Sequence, residues 1–234
     1  MELDQTHIAP LIKFVDKLRS KYNLGENIPH FDPLDGGINA EVLFLLEAPG
    51  PRAVKSGFVS RNNDDPTARN FLALNHEAGI TREGTIMWNI VPQYLGDVNS
   101  IRRPTASELR VGITHLFELL NLLPELRVVV FVGAHAYNAA NQALSIQRPD
   151  LELFRCGHTS NQHLNRNIPI NRQNILNIFH EVLAYLEIKK PQVKPQSRFE
   201  KLWSNAFPNQ LFPSRYTLIF AVISIAISLY VFYH

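Results

Sequence analysis

The chain has 234 residues, 45% apolar and 19% charged, which suits one packed core and excludes a wholly disordered or collagen-like polymer. Its one cysteine, Cys156, excludes an intramolecular disulfide and any zinc or iron–sulfur site needing two cysteines of this chain. The net charge of +2 is uneven: residues 189–234 carry six basic side chains against Glu200 and leave residues 1–188 net acidic, so nucleic-acid contact by the body must come from local patches.

In residues 1–20, Glu2, Asp4, Lys13, Asp16, Lys17 and Arg19 interrupt the apolar positions, so no signal-peptide core is present. Ile8, Leu11, Ile12, Val15 and Leu18 recur at helical spacing and predict an amphipathic helix. Residues 28–37, rich in proline, aspartate and glycine, read as a turn-rich loop. Four short apolar runs, 42–46, 86–91, 127–132 and 151–154, predict buried strands. Helical patterns cover 106–123, through Leu109, Ile113, Leu116, Phe117 and Leu120, as well as 135–144 and 173–186. Strands alternating with helices of this length predict an α/β fold, a short and mainly parallel four-stranded sheet covered on both faces. In such a sheet a ligand lies beyond the carboxyl ends of the strands.

Three loops at those ends carry polar or conformationally special residues. Glu47-Ala48-Pro49-Gly50-Pro51 follows the first strand, Asn89-Ile90-Val91-Pro92 ends the second, and Gly157-His158-Thr159-Ser160-Asn161 follows the fourth. The third strand ends at Gly133, before Ala134-His135-Ala136, as a tight strand-to-helix turn. Each signal is common by itself; their order and spacing carry the information.

Taken together, these motifs resemble the uracil-DNA glycosylase superfamily. The likeness is greatest to the bacterial branch whose first motif is Glu-Ala-Pro-Gly, here Glu47 to Gly50, followed by Gly57-Phe58-Val59. Asn89 fits the family's second-strand asparagine, Pro104-Thr105-Ala106-Ser107-Glu108 its downstream helix start, and His158-Thr159-Ser160 its final His-Pro-Ser motif. The resemblance spans residues 28–187. It departs from the family pattern at Leu46, where many relatives have glycine, at Thr159 in place of proline, and in lacking the cysteines of the iron–sulfur branch.

The resemblance implies a three-layer α/β/α domain that hydrolyses the N-glycosidic bond of uracil, or another deaminated base, in DNA by base flipping, without cofactor or metal. It implies Phe58 as the ring stacking on the flipped base, Asn89 as the amide reading its imide edge, Ala48 and Gly50 as backbone around it, and His158 as the donor to the charged base oxygen. The carboxylate that positions water is open. Ala48 stands where the best-known branch has aspartate, and Glu47 is either the acting carboxylate or a structural anchor. Ser160, Asn161, Leu164 and Arg166 are expected on DNA, with Leu164 as a minor-groove wedge, and Arg52, Lys55, Arg61, Arg69, Arg102 and Arg103 are possible phosphate contacts. The competing reading is a catalytically weak nucleobase- or nucleic-acid-binding module of the same fold, tethered to a membrane by a C-terminal helix.

Beyond the body, the sequence predicts a basic, proline-containing linker over 189–215. The uncharged, apolar run 216–233 predicts a helix long enough to span a bilayer, ~27 Å at 1.5 Å per residue. The basic flank before it places the body, expected to be a monomer, on the cytoplasmic side with the membrane as a partner.

Overall fold

The computed structural model describes residues 6–97 and 101–188. The expected linker and the expected membrane helix lie outside the described residues. Among the described residues no helix is long and apolar enough to cross a membrane.

Helix α1, Ala9–Tyr22, uses Pro10 in its first turn, where the missing N–H costs nothing, and buries Leu11, Phe14, Val15 and Leu18. A short strand β1, His30–Phe31, leads to the first long strand β2, Val42–Leu46, buried throughout. A six-residue helix α2, Pro51–Ser56, and the two-residue strand β3, Phe58–Val59, follow. β3 pairs in parallel with β1, His30 opposite Phe58. Then come α3, Pro66–Ala78, β4, Thr85–Asn89, and α4, Ala106–Leu120. Strand β5, Val128–Val132, helix α5, Ala134–Gln147, strand β6, Glu152–Cys156, the short helix α6, Asn161–Leu164, and α7, Ile168–Ile188, complete the body.

The main sheet has the order β4-β2-β5-β6 with every pairing parallel. Its central strands are buried on both faces, which is why they read as unbroken apolar runs. In-register neighbours share a face. Phe44 of β2 meets Phe71 of α3 and Phe179 of α7 edge-on at 4.8 and 5.4 Å, so α3 and α7 cover one side. On the opposite side Phe131 of β5 meets Tyr137 of α5 at 5.5 Å, and Trp88 of β4 packs against Phe14 of α1 and stacks on Phe31. The three-layer α/β/α architecture follows from these two sets of contacts.

Several expected boundaries shift. The second strand ends at Asn89 rather than residue 91, although the N–H groups of Ile90 and Val91 still donate to the carbonyls of Leu46 and Glu47. The fourth runs on to Cys156: as an edge strand it is only partly buried, so its last residues are not apolar enough to be read as strand. Residues 28–37 are a loop that nonetheless contributes β1. Helix α3 was not singled out by the sequence pattern, yet Asp65 caps it by accepting the Ala68 N–H at 3.0 Å, with Pro66 in the first turn.

Beneath the β1–β3 pair lies a buried ion cluster. Arg82 donates to Asp35 at 2.9 Å and to Asp32, which also accepts from the Ser60 hydroxyl and, at 2.9 Å, from the Leu34 N–H. Arg61, only 1% exposed, donates to the Thr85 hydroxyl, lies 3.8 Å from Asp35, and packs its guanidinium over Phe44 and Phe71. The expectation that Arg61 contacts DNA phosphate is therefore corrected: its charge is sealed inside the fold, where no phosphate reaches it.

Candidate active site

The carboxyl ends of β2 and β4 open into a cavity of about 630 Å³ on the face covered by α3. From β2 and the loop beyond it come Leu46, Ala48, Pro49 and Gly50, and from β4 come Met87 and Asn89. The segment into α3 adds Asn63, Asp64, Asp65 and Thr67, and the loop after β6 adds His158 and Thr159.

The register of the sheet decides which residues enter. Side chains alternate along an extended chain, so Leu46 and Ala48 turn to the α3 side. Glu47 between them turns the other way, into a separate cavity of about 300 Å³ with Arg103, His135 and Asn138. In the same way, Asn89 stands opposite Leu46 in the ladder and shares its face. Asn89 is 2% exposed, and its side-chain amide makes no hydrogen bond with any described residue. The Asn89 amide atoms are not among those sealed without a partner, so they border the cavity, where a ligand or water can pair with them. Gly50 caps α2, and a Cβ there would meet nothing within 4 Å, so its backbone borders open cavity.

His158 is fixed from three sides. Its Nδ1 accepts the Ser160 backbone N–H at 3.0 Å. Gly133, at φ +92°, lies so close that a Cβ would come 3.2 Å from the imidazole Cδ2; only glycine suits both that backbone and that approach. The loop is also tied to α3: the buried Thr159 donates its hydroxyl to the Thr67 carbonyl at 3.2 Å, and Asn70 donates to the Thr159 carbonyl at 2.8 Å and to Asn161 Oδ1 at 2.9 Å. Threonine in place of the motif proline thus gains a tether. Burial holds the His158 imidazole below the usual histidine range, His163 and His135 push the same way, and Asp65 opposes them. With Nδ1 accepting, the neutral ring carries its proton on Nε2, ready to donate.

The structure brings together four of the expected residues, His158, Asn89, Ala48 and Gly50, and leaves others apart. Phe58 is 38% exposed on β3, and its ring is not part of the cavity lining, which takes its neighbour Val59 instead. Ser160 caps α6 by accepting the His163 N–H, and Asn161 joins the α3 tether. Leu164 is half-buried against the core, while Arg166 is exposed one residue beyond α6 and its Asn165 cap. Arg69 is held by Asp64 at 2.7 Å and Arg102 by Glu108 at 2.6 Å, whereas Arg52 lines the cavity without an ion pair among the described residues. Burial pushes the Cys156 thiol up to about 12, too high for a nucleophile. Among the described residues no three His, Cys, Asp or Glu side chains group to hold a metal. Sequence reasoning missed Asn63, Asp65 and Asn70; the Asp-Pro pair that starts α3 was the available signal for the second.

The family model of the uracil DNA glycosylase superfamily matches residues 33–203, more than half of the chain. No curated protein matches it. Similar solved structures include a candidate uracil DNA glycosylase from Methanosarcina acetivorans, 16% identical, covering 64% of this chain and 94% of its own with a TM-score of 0.43. The Pedobacter heparinus protein SMUG2 is 9% identical, covering 81% of this chain and 88% of its own with a TM-score of 0.48.

Proposed function

We propose, for a chain that belongs to the uracil DNA glycosylase superfamily, that the cavity receives a uracil, or another deaminated base, turned out of DNA and that the enzyme hydrolyses its N-glycosidic bond. One observation carries this reading: Asn89, buried and unpaired, shares a cavity with a neutral His158 whose free N–H is available. A primary amide offers one donor and one acceptor side by side, the complement of a uracil imide N–H and its adjacent carbonyl. As the bond to the sugar breaks, its electron pair leaves with the base and charge gathers on the base carbonyl oxygens. The His158 Nε2–H donates to one of them. A preorganised donor of this kind stabilises the transition state by ~3–4 kcal/mol, and being neutral it needs no charge buried in advance.

Arg52 and Lys55 on α2, with Arg166 beyond α6, would position phosphates around the cavity mouth without reading sequence. The acidic balance of residues 1–188 supports contact through this local set rather than through a broad basic face. The binding-module alternative draws on Ala48, which can neither take nor orient a proton.

The test is to incubate the full chain with uracil-containing single- and double-stranded oligonucleotides in EDTA, measuring free uracil and alkali-labile abasic sites. Release of uracil is the expected outcome. Activity that vanishes with chelator and returns with metal would overturn the metal-independent chemistry, and tight DNA binding without base release would replace the enzyme by the binding module.

A further inference from the structure

The chemistry above leaves a carboxylate unassigned: a sugar cation forms opposite the departing base, and water must be held at its carbon. Three acids stand near the strand ends. Glu47 opens into the other cavity, beside Arg103 and His135. Asp64 lines the main cavity, but its side chain is 84% exposed and paired with Arg69. Asp65 lines the main cavity, and only one of its oxygens is committed, Oδ1, to the Ala68 N–H at 3.0 Å. Its other oxygen is bound by no described residue.

We infer that Asp65 is the catalytic carboxylate of this cavity, holding the attacking water and facing the sugar cation in place of Glu47. The inference rests on the proposed glycosylase reaction. Helix α3 gives it geometric support: the first two turns that present Asp65 also hold the His158 loop, through the Thr67 carbonyl and the Asn70 amide. The carboxylate and the base-side donor are thereby fixed by one rigid element. Asp65 is also near enough to act on His158 electrostatically. In the step itself the bond from C1′ to the base nitrogen breaks and both electrons leave with the base. The oxygen of the water held by Asp65 then bonds to C1′. The proton that water sheds passes to the carboxylate and on to the uracil anion, so that free uracil and an abasic sugar are the products. The cap confines the carboxylate: its first oxygen cannot turn away without giving up a helix N–H, which keeps the second on the cavity.

The experiment compares wild type, Asp65→Asn, Asp65→Ser and Glu47→Gln by single-turnover excision from uracil DNA, by DNA affinity and by thermal melting. Asparagine and serine both cap helices, so each removes the charge while keeping the acceptor. The expected result is a loss of ~100-fold in rate for both Asp65 variants, affinity within about threefold, and Glu47→Gln within about threefold of wild type in rate, on the scale of a single acid–base group. Asp65 variants that excise at the wild-type rate overturn the assignment and leave the glycosylase reading standing. A large loss confined to Glu47→Gln overturns it in favour of the other acid. A wild-type chain that releases no base removes the reading and this assignment together. Should Asp65→Asn fail to fold, Asp65→Ser decides.

Discussion

Two polar regions of this molecule differ in what their polar atoms face: packed protein in one, open cavity in the other. In the cluster under β1 and β3, charge faces charge: Asp32 and Asp35 are met by Arg61 and Arg82, with the Ser60 and Thr85 hydroxyls beside them, and the atoms left without a hydrogen bond, Asp35 Oδ2 and Arg61 Nε and Nη1, are sealed in the fold. Burial still pushes the Asp35 carboxyl up to about 6, against the pull of Arg61 and Arg82. In the cavity the polar groups face space. The Asn89 side-chain amide has no hydrogen-bond partner among the described residues, and His158 spends its acceptor on Ser160 while its donor is left over. Burial of polar atoms therefore does not by itself mark a site. The mark is burial combined with unmet hydrogen-bonding capacity directed at a volume that a ligand can enter.

The largest expected effect lies in the cluster and falls on stability. Removing one member of a buried ion pair strands the other, at ~3–5 kcal/mol. Arg61→Ala should therefore lower the free energy of unfolding in urea by about that much. If it instead left stability intact and abolished base excision, the cluster would belong to the site and the contrast would collapse.

Next in size, His158→Ala should cost ~100-fold or more in single-turnover excision while DNA affinity changes little, because the bond it removes strengthens only in the transition state. A folded variant excising at the wild-type rate would remove His158 from the chemistry. The pH profile sharpens the same point. Burial lowers the His158 pKa, so the neutral, donating ring persists to lower pH than a free histidine. The acid limb of the excision rate should consequently fall below pH ~6.5, the free-histidine value. A limb above that value would mean that a different group titrates.

Asn89→Asp tests the cavity from the base side. The carboxylate loses the amide donor, so uracil excision should drop by ~10- to 100-fold, the range for an unpaired polar contact in a specific pocket, and a protonated acid would pair instead with the acceptor edge of cytosine. Release of cytosine by the variant alone would place residue 89 against the base. Unchanged uracil kinetics would place it elsewhere.

How much of this was legible in the sequence follows from the range of each interaction. Strands β2 and β5 were plain because burial on both faces leaves only apolar residues in them. The tip of β6 was not, because Arg155 sits on an edge strand, where its guanidinium packs over Tyr137. His158, Asn89, Ala48 and Gly50 were readable since each stands at a strand end, where the parallel sheet delivers it to one rim. Glu47 was ambiguous because its direction depends on the pleat, which places it opposite to Ala48. Arg61 read as surface charge: its partners Asp35 and Thr85 lie 26 and 24 residues away, and nothing local foretells that they enclose it. A still longer separation in sequence, 89 residues, hid the bond from Asn70 to Thr159.

That tether gives the smallest expected effect and the finest test of the contrast, because it is a satisfied polar contact that serves an unsatisfied one. Asn70 spends its amide on the Thr159 carbonyl and on Asn161, neither of which reacts with anything, yet those bonds hold the loop that carries the His158 ring. Asn70→Ala should cost about 1 kcal/mol of stability, the net worth of an ordinary hydrogen bond. It should also slow excision by ~5- to 10-fold, since a misplaced donor loses alignment at a cost of about 1 kcal/mol of transition-state stabilisation. Asn70→Ser, short of both partners, should behave alike, whereas Asn70→Gln, which keeps the donor on a longer arm, should recover part of the rate. Loss of stability without loss of rate would show that the Ser160 N–H and the Gly133 approach alone hold the imidazole, and that α3 contributes packing but no alignment.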